Sequence, residues 1–195
     1  YAEYGMMVSA FSATGFNPDG NLRVFDSSLY DTLDPDLSSP NEQCPPGGGP
    51  GIGEGGRPGM PGANCEPQGN VLIIQESDKS EPDDNAYGGI ISFSFNHPGK
   101  TISGVGLMDM EGTQNFLVLY QSDGTPPSAE MLTGLGDNSI QDEFIDKLGV
   151  TSLNVFFANS CGIREICFCQ EHEEEEQVPQ ITSFSLVNSE INEDI

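Results

Sequence analysis

The sequence predicts an all-β domain: a two-sheet antiparallel β-sandwich of the jelly-roll type, with a long Gly/Pro-rich loop and a C-terminal extension strand. Apolar residues alternate or cluster between Gly, Pro and Asp at residues 6–11, 70–75, 89–95, 116–121 and 152–158. Weaker segments of the same kind lie at residues 22–25, 101–109, 164–170 and 181–188. Many short strands at such close spacing are typical of a sandwich.

One apolar segment allows two interpretations. Ile140, Phe144, Ile145 and Leu148 recur at near-helical spacing. A short amphipathic helix and a strand of the sandwich both fit this pattern.

Residues 40–69 interrupt the predicted domain, which spans residues 1–170, with a composition dominated by Gly and Pro. Such a segment has little to bury, so we expect a solvated surface loop, with a ligand-binding loop as the alternative. Cys44 and Cys65 bracket it. A disulfide between them would close about 20 residues and stabilise the fold by about 3 kcal/mol in the chain-entropy model.

The other cysteines are Cys161, Cys167 and Cys169. Their spacing with His172 matches no common zinc site, so we interpret the five cysteines as disulfide-forming, with the odd one left for an intermolecular bond or a free thiol. The sequence does not rank the possible pairings. Cysteines in an acidic chain with few cations indicate an extracellular or cell-surface protein.

The net charge limits the classes of partner that we expect the protein to bind. The chain carries 31 Asp and Glu against 6 Lys and Arg, a formal net charge of −25. Binding to nucleic acid or to an anionic membrane requires clustered cations, so neither partner is expected. No apolar run is long enough to insert into a membrane. Metal cations, neutral glycans and other proteins remain as partners.

The sequence gives no support to catalysis. Neither His97 nor His172 lies near an obvious nucleophile, and no nucleophile elbow, phosphate loop or dinucleotide motif occurs. We therefore expect a protein that is not an enzyme.

Two acidic loops are candidates for calcium binding. Asp26, Asp31, Asp34 and Asp36 share one loop, and a second acidic loop spans residues 81–85. Calcium takes six to eight oxygen ligands, which irregular loops can supply. The spacing is not that of an EF-hand, and a solvated acidic loop is the alternative interpretation.

The C-terminal residues form a separate unit in this interpretation. Residues 171–180 read as an acidic linker, and residues 181–195 contain a strand with Ile181, Phe184, Leu186 and Val187. The chain also starts in the middle of a strand pattern. A lone strand must pair with its own sheet or with a neighbour's, so back-pairing and strand exchange between copies both remain open.

Several motifs resemble those of secreted β-sandwich modules of bacterial and algal extracellular proteins, which look like galactose-binding-like jelly rolls. They lie at residues 4–9, 24–28, 34–37, 69–74, 82–85, 88–93, 103–110 and 149–155. The resemblance implies a jelly roll whose acidic loops hold calcium. By this resemblance the calcium ligands would be Asp26, Asp34, Asp36 and Asp84, with Glu165 as a further candidate.

Together these observations predict an extracellular structural protein that self-assembles into a fibre or sheath by C-terminal strand exchange between copies of itself. The alternative is a calcium-dependent glycan-binding module of a larger secreted or cell-surface protein.

Overall fold

The structure is a computed structural model that describes residues 5–15, 22–96 and 98–169. In these ranges, short β-forming segments separated by Gly- and Asp-rich turns give nine strands, and a 3₁₀ turn spans Pro35–Leu37. The strands are β1 (Met6–Ser12), β2 (Leu22–Asp26), β3 (Asn70–Ile74), β4 (Gly89–Phe95), β5 (Lys100–Met108), β6 (Asn115–Gln121), β7 (Ser128–Leu132), β8 (Ile140–Phe157) and β9 (Gly162–Cys169).

Strand β8 belongs to both sheets of the sandwich. Its first half pairs with β5, and its second half lies between β4 and β6. The front sheet therefore has the order β1-β4-β8-β6-β7, and the back sheet the order β2-β3-β9-β5-β8. Every strand pairing is antiparallel, which confirms the predicted sandwich.

The main core lies between the two sheets. Ile91, Phe93 and Phe95 of β4 alternate with half-buried residues that face outward. Leu153, Val155 and Phe157 repeat this period of two in β8, so one face of each strand is buried against the opposite sheet. Leu107 and Ile163 supply the back-sheet side of the same cluster.

A second apolar cluster covers the other face of the back sheet. Val71 and Ile73 of β3 belong to it, whereas the neighbouring Leu72 and Ile74 belong to the main core. Because successive side chains of a strand point to opposite faces, the second cluster lies outside the sandwich. Leu37, in the chain segment that leads into the Gly/Pro-rich loop, is fully buried in it.

The Gly/Pro-rich loop at residues 40–69 has many exposed residues, as expected of a surface loop, but it also packs against the domain, which its composition did not predict. The loop contains the buried residues Asn41, Cys44 and Asn64. A side chain at Gly51, Gly56 or Gly62 would collide with residues 38–40 or 138–140. The glycines allow close backbone packing, so the loop is compact without large side chains.

The cysteines divide into two groups. Cys44 and Cys65 form the predicted disulfide. Cys161, Cys167 and Cys169 are free thiols, so the interpretation of all five as disulfide-forming is corrected. Cys161 is buried, whereas Cys167 is half-buried and Cys169 is exposed at the end of β9.

The remaining sequence predictions have mixed outcomes. The strongly and weakly patterned segments up to residue 169 are strands, and the ambiguous segment is the first half of β8. Strand β7 lacks a clear apolar pattern and was missed by the sequence prediction. Residues 171–195, including Ile181, Phe184, Leu186 and Val187, lie outside the described residues.

In the described part of the chain, no helix has the length and apolar character needed to cross a membrane.

Candidate functional site

Loops at one end of the sandwich bring four carboxylates together, which we call the acidic cluster: Asp34, Asp36, Asp84 and Asp109. Asp34 precedes the 3₁₀ turn between β2 and β3, and Asp36 lies within it. Asp84 precedes β4, and Asp109 follows β5. Asp84 and Asp109 are almost fully buried. The backbone N–H of Asp84 donates to Asp34 Oδ2 at 2.5 Å, which joins two of these loops.

Ser160, in the β8–β9 loop, lies between two members of the acidic cluster. Its Oγ is 2.6 Å from Asp84 Oδ2 and 2.7 Å from Asp109 Oδ2. A hydroxyl group has one proton to donate, so it satisfies only one of two ionised carboxylates. The other contact requires a proton on the carboxyl group.

Burial raises the pKa of every member of the acidic cluster. Desolvation is the largest cause throughout, and it raises the pKa of Asp34 to about 7 and that of Asp84 to about 8. The pKa of Asp36 is raised, and that of Asp109 lies well above its usual range. Repulsion by neighbouring carboxylates adds to desolvation in each case.

No cation offsets this repulsion among the described residues. Their ion pairs join Arg57 to Glu54, and Arg164 to Asp142 and Glu165, away from the acidic cluster. Asp36 Oδ1 is buried and has no hydrogen-bond partner within the described ranges. The cluster therefore combines concentrated negative charge with an unsatisfied oxygen.

Only some of the residues predicted to bind calcium lie together in the structure. Asp34, Asp36 and Asp84 come together, as the calcium prediction requires. Asp26 lies apart from them, where its carboxylate accepts hydrogen bonds from the backbone N–H and side chain of Ser28. Glu165 lies on β9 beside Arg164. Sequence reasoning missed Asp109, although it directly follows an apolar strand, as loop ligands often do.

Among the described residues, the outward face of the front sheet carries no charged side chain, although the chain has a net charge of −25. We call it the charge-free face. Strand alternation and register place one row of apolar side chains across all five strands: Phe11, Ile90, Phe156, Phe116 and Met131. The next rows are Ser9, Ser92, Asn154, Val118 and Ala129, and then Met7, Ser94, Ser152 and Tyr120.

Large apolar groups on this face are open to solvent. Phe11 and Met131, at the two ends of the apolar row, are 61% and 70% exposed. The rings of Phe116 and Phe156 stack in its centre with centroids 4.3 Å apart. Glu130 alternates to the other side of β7, so it does not interrupt the row. The strands are visible in the sequence, but the rows depend on the register between strands, which the sequence does not specify.

No protein-family model and no curated protein sequence matches this chain. Among solved structures, TmCBM61 in complex with β-1,4-galactotriose aligns with 83% of this chain and 87% of its own. The two sequences are 11% identical, and the TM-score is 0.39. A likeness at this level supports no conclusion about what this chain binds.

Proposed function

We propose that this protein is an extracellular module that binds an uncharged glycan on the charge-free face. The observation that carries the proposal is that, within the part of the chain that the structure describes, the outward residues of this sheet include no charged side chain in so acidic a protein. Charged side chains are the usual covering of a solvated sheet face, so their exclusion here favours a binding role. The Cys44–Cys65 disulfide is typical of proteins of an oxidising compartment.

The face offers the two kinds of contact that a neutral sugar needs. Phe116, Phe156 and Tyr120 present aromatic surface against which the C–H groups of a sugar ring can pack. Hydroxyl and amide groups in the adjacent rows can donate and accept hydrogen bonds without introducing charge. An apolar platform with a few polar groups is the usual composition of a ligand site.

Calorimetric titration with neutral trisaccharides tests the proposal. The probes are β-1,4-galactotriose, cellotriose and mannotriose. Binding of at least one is expected, and Phe116→Ala should weaken it by about tenfold through lost stacking. Phe144→Ala is the matched control, because Phe144 is 90% exposed on the back sheet. Absence of binding to all three sugars, or equal effects of the two variants, would contradict the proposal.

Calcium binding at the acidic cluster is a second proposal. The donor set fits a hard cation, since it consists of carboxylate and hydroxyl oxygens and includes the orphaned Asp36 Oδ1. The side chains within the described ranges do not, however, place three or more His, Cys, Asp or Glu residues in metal-binding geometry. Bound calcium would supply the positive charge that offsets the repulsion among these carboxylates.

Thermal unfolding with and without calcium tests this second proposal. A cation that binds only the folded state stabilises it by about 2.7 kcal/mol at one hundred times its dissociation constant. Asp84→Asn should abolish the increase in melting temperature, whereas Asp26→Asn should preserve it, because Asp26 lies outside the cluster. An unchanged melting temperature in calcium and in chelator would exclude the site.

Self-assembly by strand exchange remains a proposal of its own. In the described residues β1 pairs only with β4, so one edge of the front sheet is available to a further strand. An apolar cleft of about 410 Å³ lies beside β1, with a lining that includes Met6, Val8 and Phe93. Deletion of residues 177–195 should reduce particle size in light scattering. An unchanged size would contradict strand exchange.

A further inference from the structure

Four uncharged polar side chains form a compact group in the middle of the charge-free face. Ser92 of β4 lies opposite Asn154 of β8, and Ser94 lies opposite Ser152. We call these four residues the polar block. Facing residues of neighbouring strands are about 5 Å apart, and alternate residues of one strand are about 7 Å apart. The polar block therefore covers an area comparable to one sugar ring.

Apolar side chains border the polar block. Ile90 and Phe156 continue the same two strands on one side of it, and Val118 and Tyr120 flank it on β6. Apolar neighbours displace water when a ligand covers the face, which increases the cost of leaving a polar group unpaired. Hydrogen bonds made at the block are therefore selective.

The polar block has unused hydrogen-bonding capacity. Its only internal side-chain contact is a long one, from Ser152 Oγ to Asn154 Oδ1 at 3.5 Å. The side chains of Ser92 and Ser94 make no hydrogen bond within the described ranges, and all four residues are half-buried. These groups are held in place by central strands and remain available to a ligand.

Building on the proposed function, we infer that the polar block is the specificity-determining subsite of the glycan site. It distinguishes neutral sugars by the orientation of their hydroxyl groups, while the apolar row binds sugars of either orientation. The physical reason is that stacking depends only on the shape of the sugar's ring face. A hydrogen bond also requires its partner to lie in a particular direction. A site built to pair a hydroxyl discriminates strongly against a ligand that misplaces it.

The test compares β-1,4-galactotriose and cellotriose by calorimetric titration. Their rings differ in the orientation of the oxygen at carbon 4, which is a free hydroxyl on the terminal ring and the linkage oxygen on the other two. The native protein should prefer one by about tenfold, the value of one well-placed hydrogen bond. Ser92→Ala and Asn154→Ala should reduce this preference to within about threefold. Ser122→Ala, an exposed loop variant, is the control and should preserve it.

The outcomes separate this inference from the proposed function. Phe116→Ala should weaken the binding of both trisaccharides equally and leave the ratio of their dissociation constants unchanged. Equal affinity of the native protein for both trisaccharides would contradict the inference but not the proposed function. The same holds if Ser92→Ala and Asn154→Ala keep the native ratio of dissociation constants while Phe116→Ala weakens binding. If neither of these two sugars nor mannotriose binds, both fail.

Discussion

Asn138 connects the Gly/Pro-rich loop to the body of the domain. Its Nδ2 donates to the carbonyl oxygens of Asp36 and Ser38 at 2.7 Å, and its Oδ1 accepts from Asn41 Nδ2 at 2.8 Å. Its backbone N–H donates to Asp109 Oδ1, a member of the acidic cluster. Its φ of 59° lies in the left-handed region, which Asn tolerates better than most residues. One side chain thus fixes the loop beside the carboxylates.

The raised pKa values predict how stability depends on pH in the absence of metal ions. The folded pKa of Asp34 is about 7 and that of Asp84 about 8, both above the usual 3.8. Between these limits the folded state binds more protons than the unfolded state, so the free energy of unfolding decreases as pH rises. Urea denaturation in chelator should show a decrease from about pH 4 to about pH 8.

Variants isolate the contribution of the acidic cluster from that of the other carboxylates. Asp84→Asn should make the free energy of unfolding depend less on pH, because the amide of Asn has no proton to lose. Asp26→Asn serves as the comparison, since hydrogen bonds from Ser28 lower the pKa of Asp26. A pH slope in Asp84→Asn equal to that of the native protein would contradict the assignment.

At the scale of elements, the Gly/Pro-rich loop substitutes backbone contacts for side-chain packing. Ser39, Asn41 and Asn64 bury their polar side chains in a hydrogen-bonded network instead of an apolar core. The Cys44–Cys65 disulfide holds the two arms of the loop together. Composition predicts a solvated surface loop here, but the close approach of the arms gives the glycines a structural role.

Gly51→Ala should destabilise the protein by about 2 kcal/mol, as overpacking of a tight interface does. The added Cβ would collide with the carbonyl oxygen of Ser38, which is backbone and moves only with the loop. Urea denaturation measures the change. Ile52→Ala is the control, because Ile52 is 50% exposed, and its effect should stay within about 0.5 kcal/mol. Equal stabilities of the two variants would contradict the close packing.

At the scale of the whole molecule, charge and ligand choice are linked. A net charge of −25 on 195 residues creates a repulsive potential for any polyanion. The described residues of the charge-free face include no Lys or Arg that would counter this repulsion. The molecule as a whole therefore favours neutral ligands and metal cations.

Affinity electrophoresis checks this consequence of the net charge. Migration should be unaffected by polygalacturonate or by DNA in the gel at about 50 mM salt, where electrostatic binding is strong. Binding of a neutral glycan should in turn change little when salt is raised, since no charge is neutralised. Salt-sensitive retardation by either polyanion would show a cationic site that the charge distribution does not predict.

The sequence by itself determined the sandwich, because strand alternation is a local property. It also offered the Cys44–Cys65 pair and three of the clustered carboxylates as candidates, without deciding among the possible disulfide pairings or separating these carboxylates from Asp26 and Glu165. Tertiary structure decided what depends on register and loop packing. It paired Ser92 with Asn154, buried Asp109 beside Asp84, and folded the Gly/Pro-rich loop onto Asn138. Such contacts join residues far apart in the chain, and local patterns do not specify the distances between them.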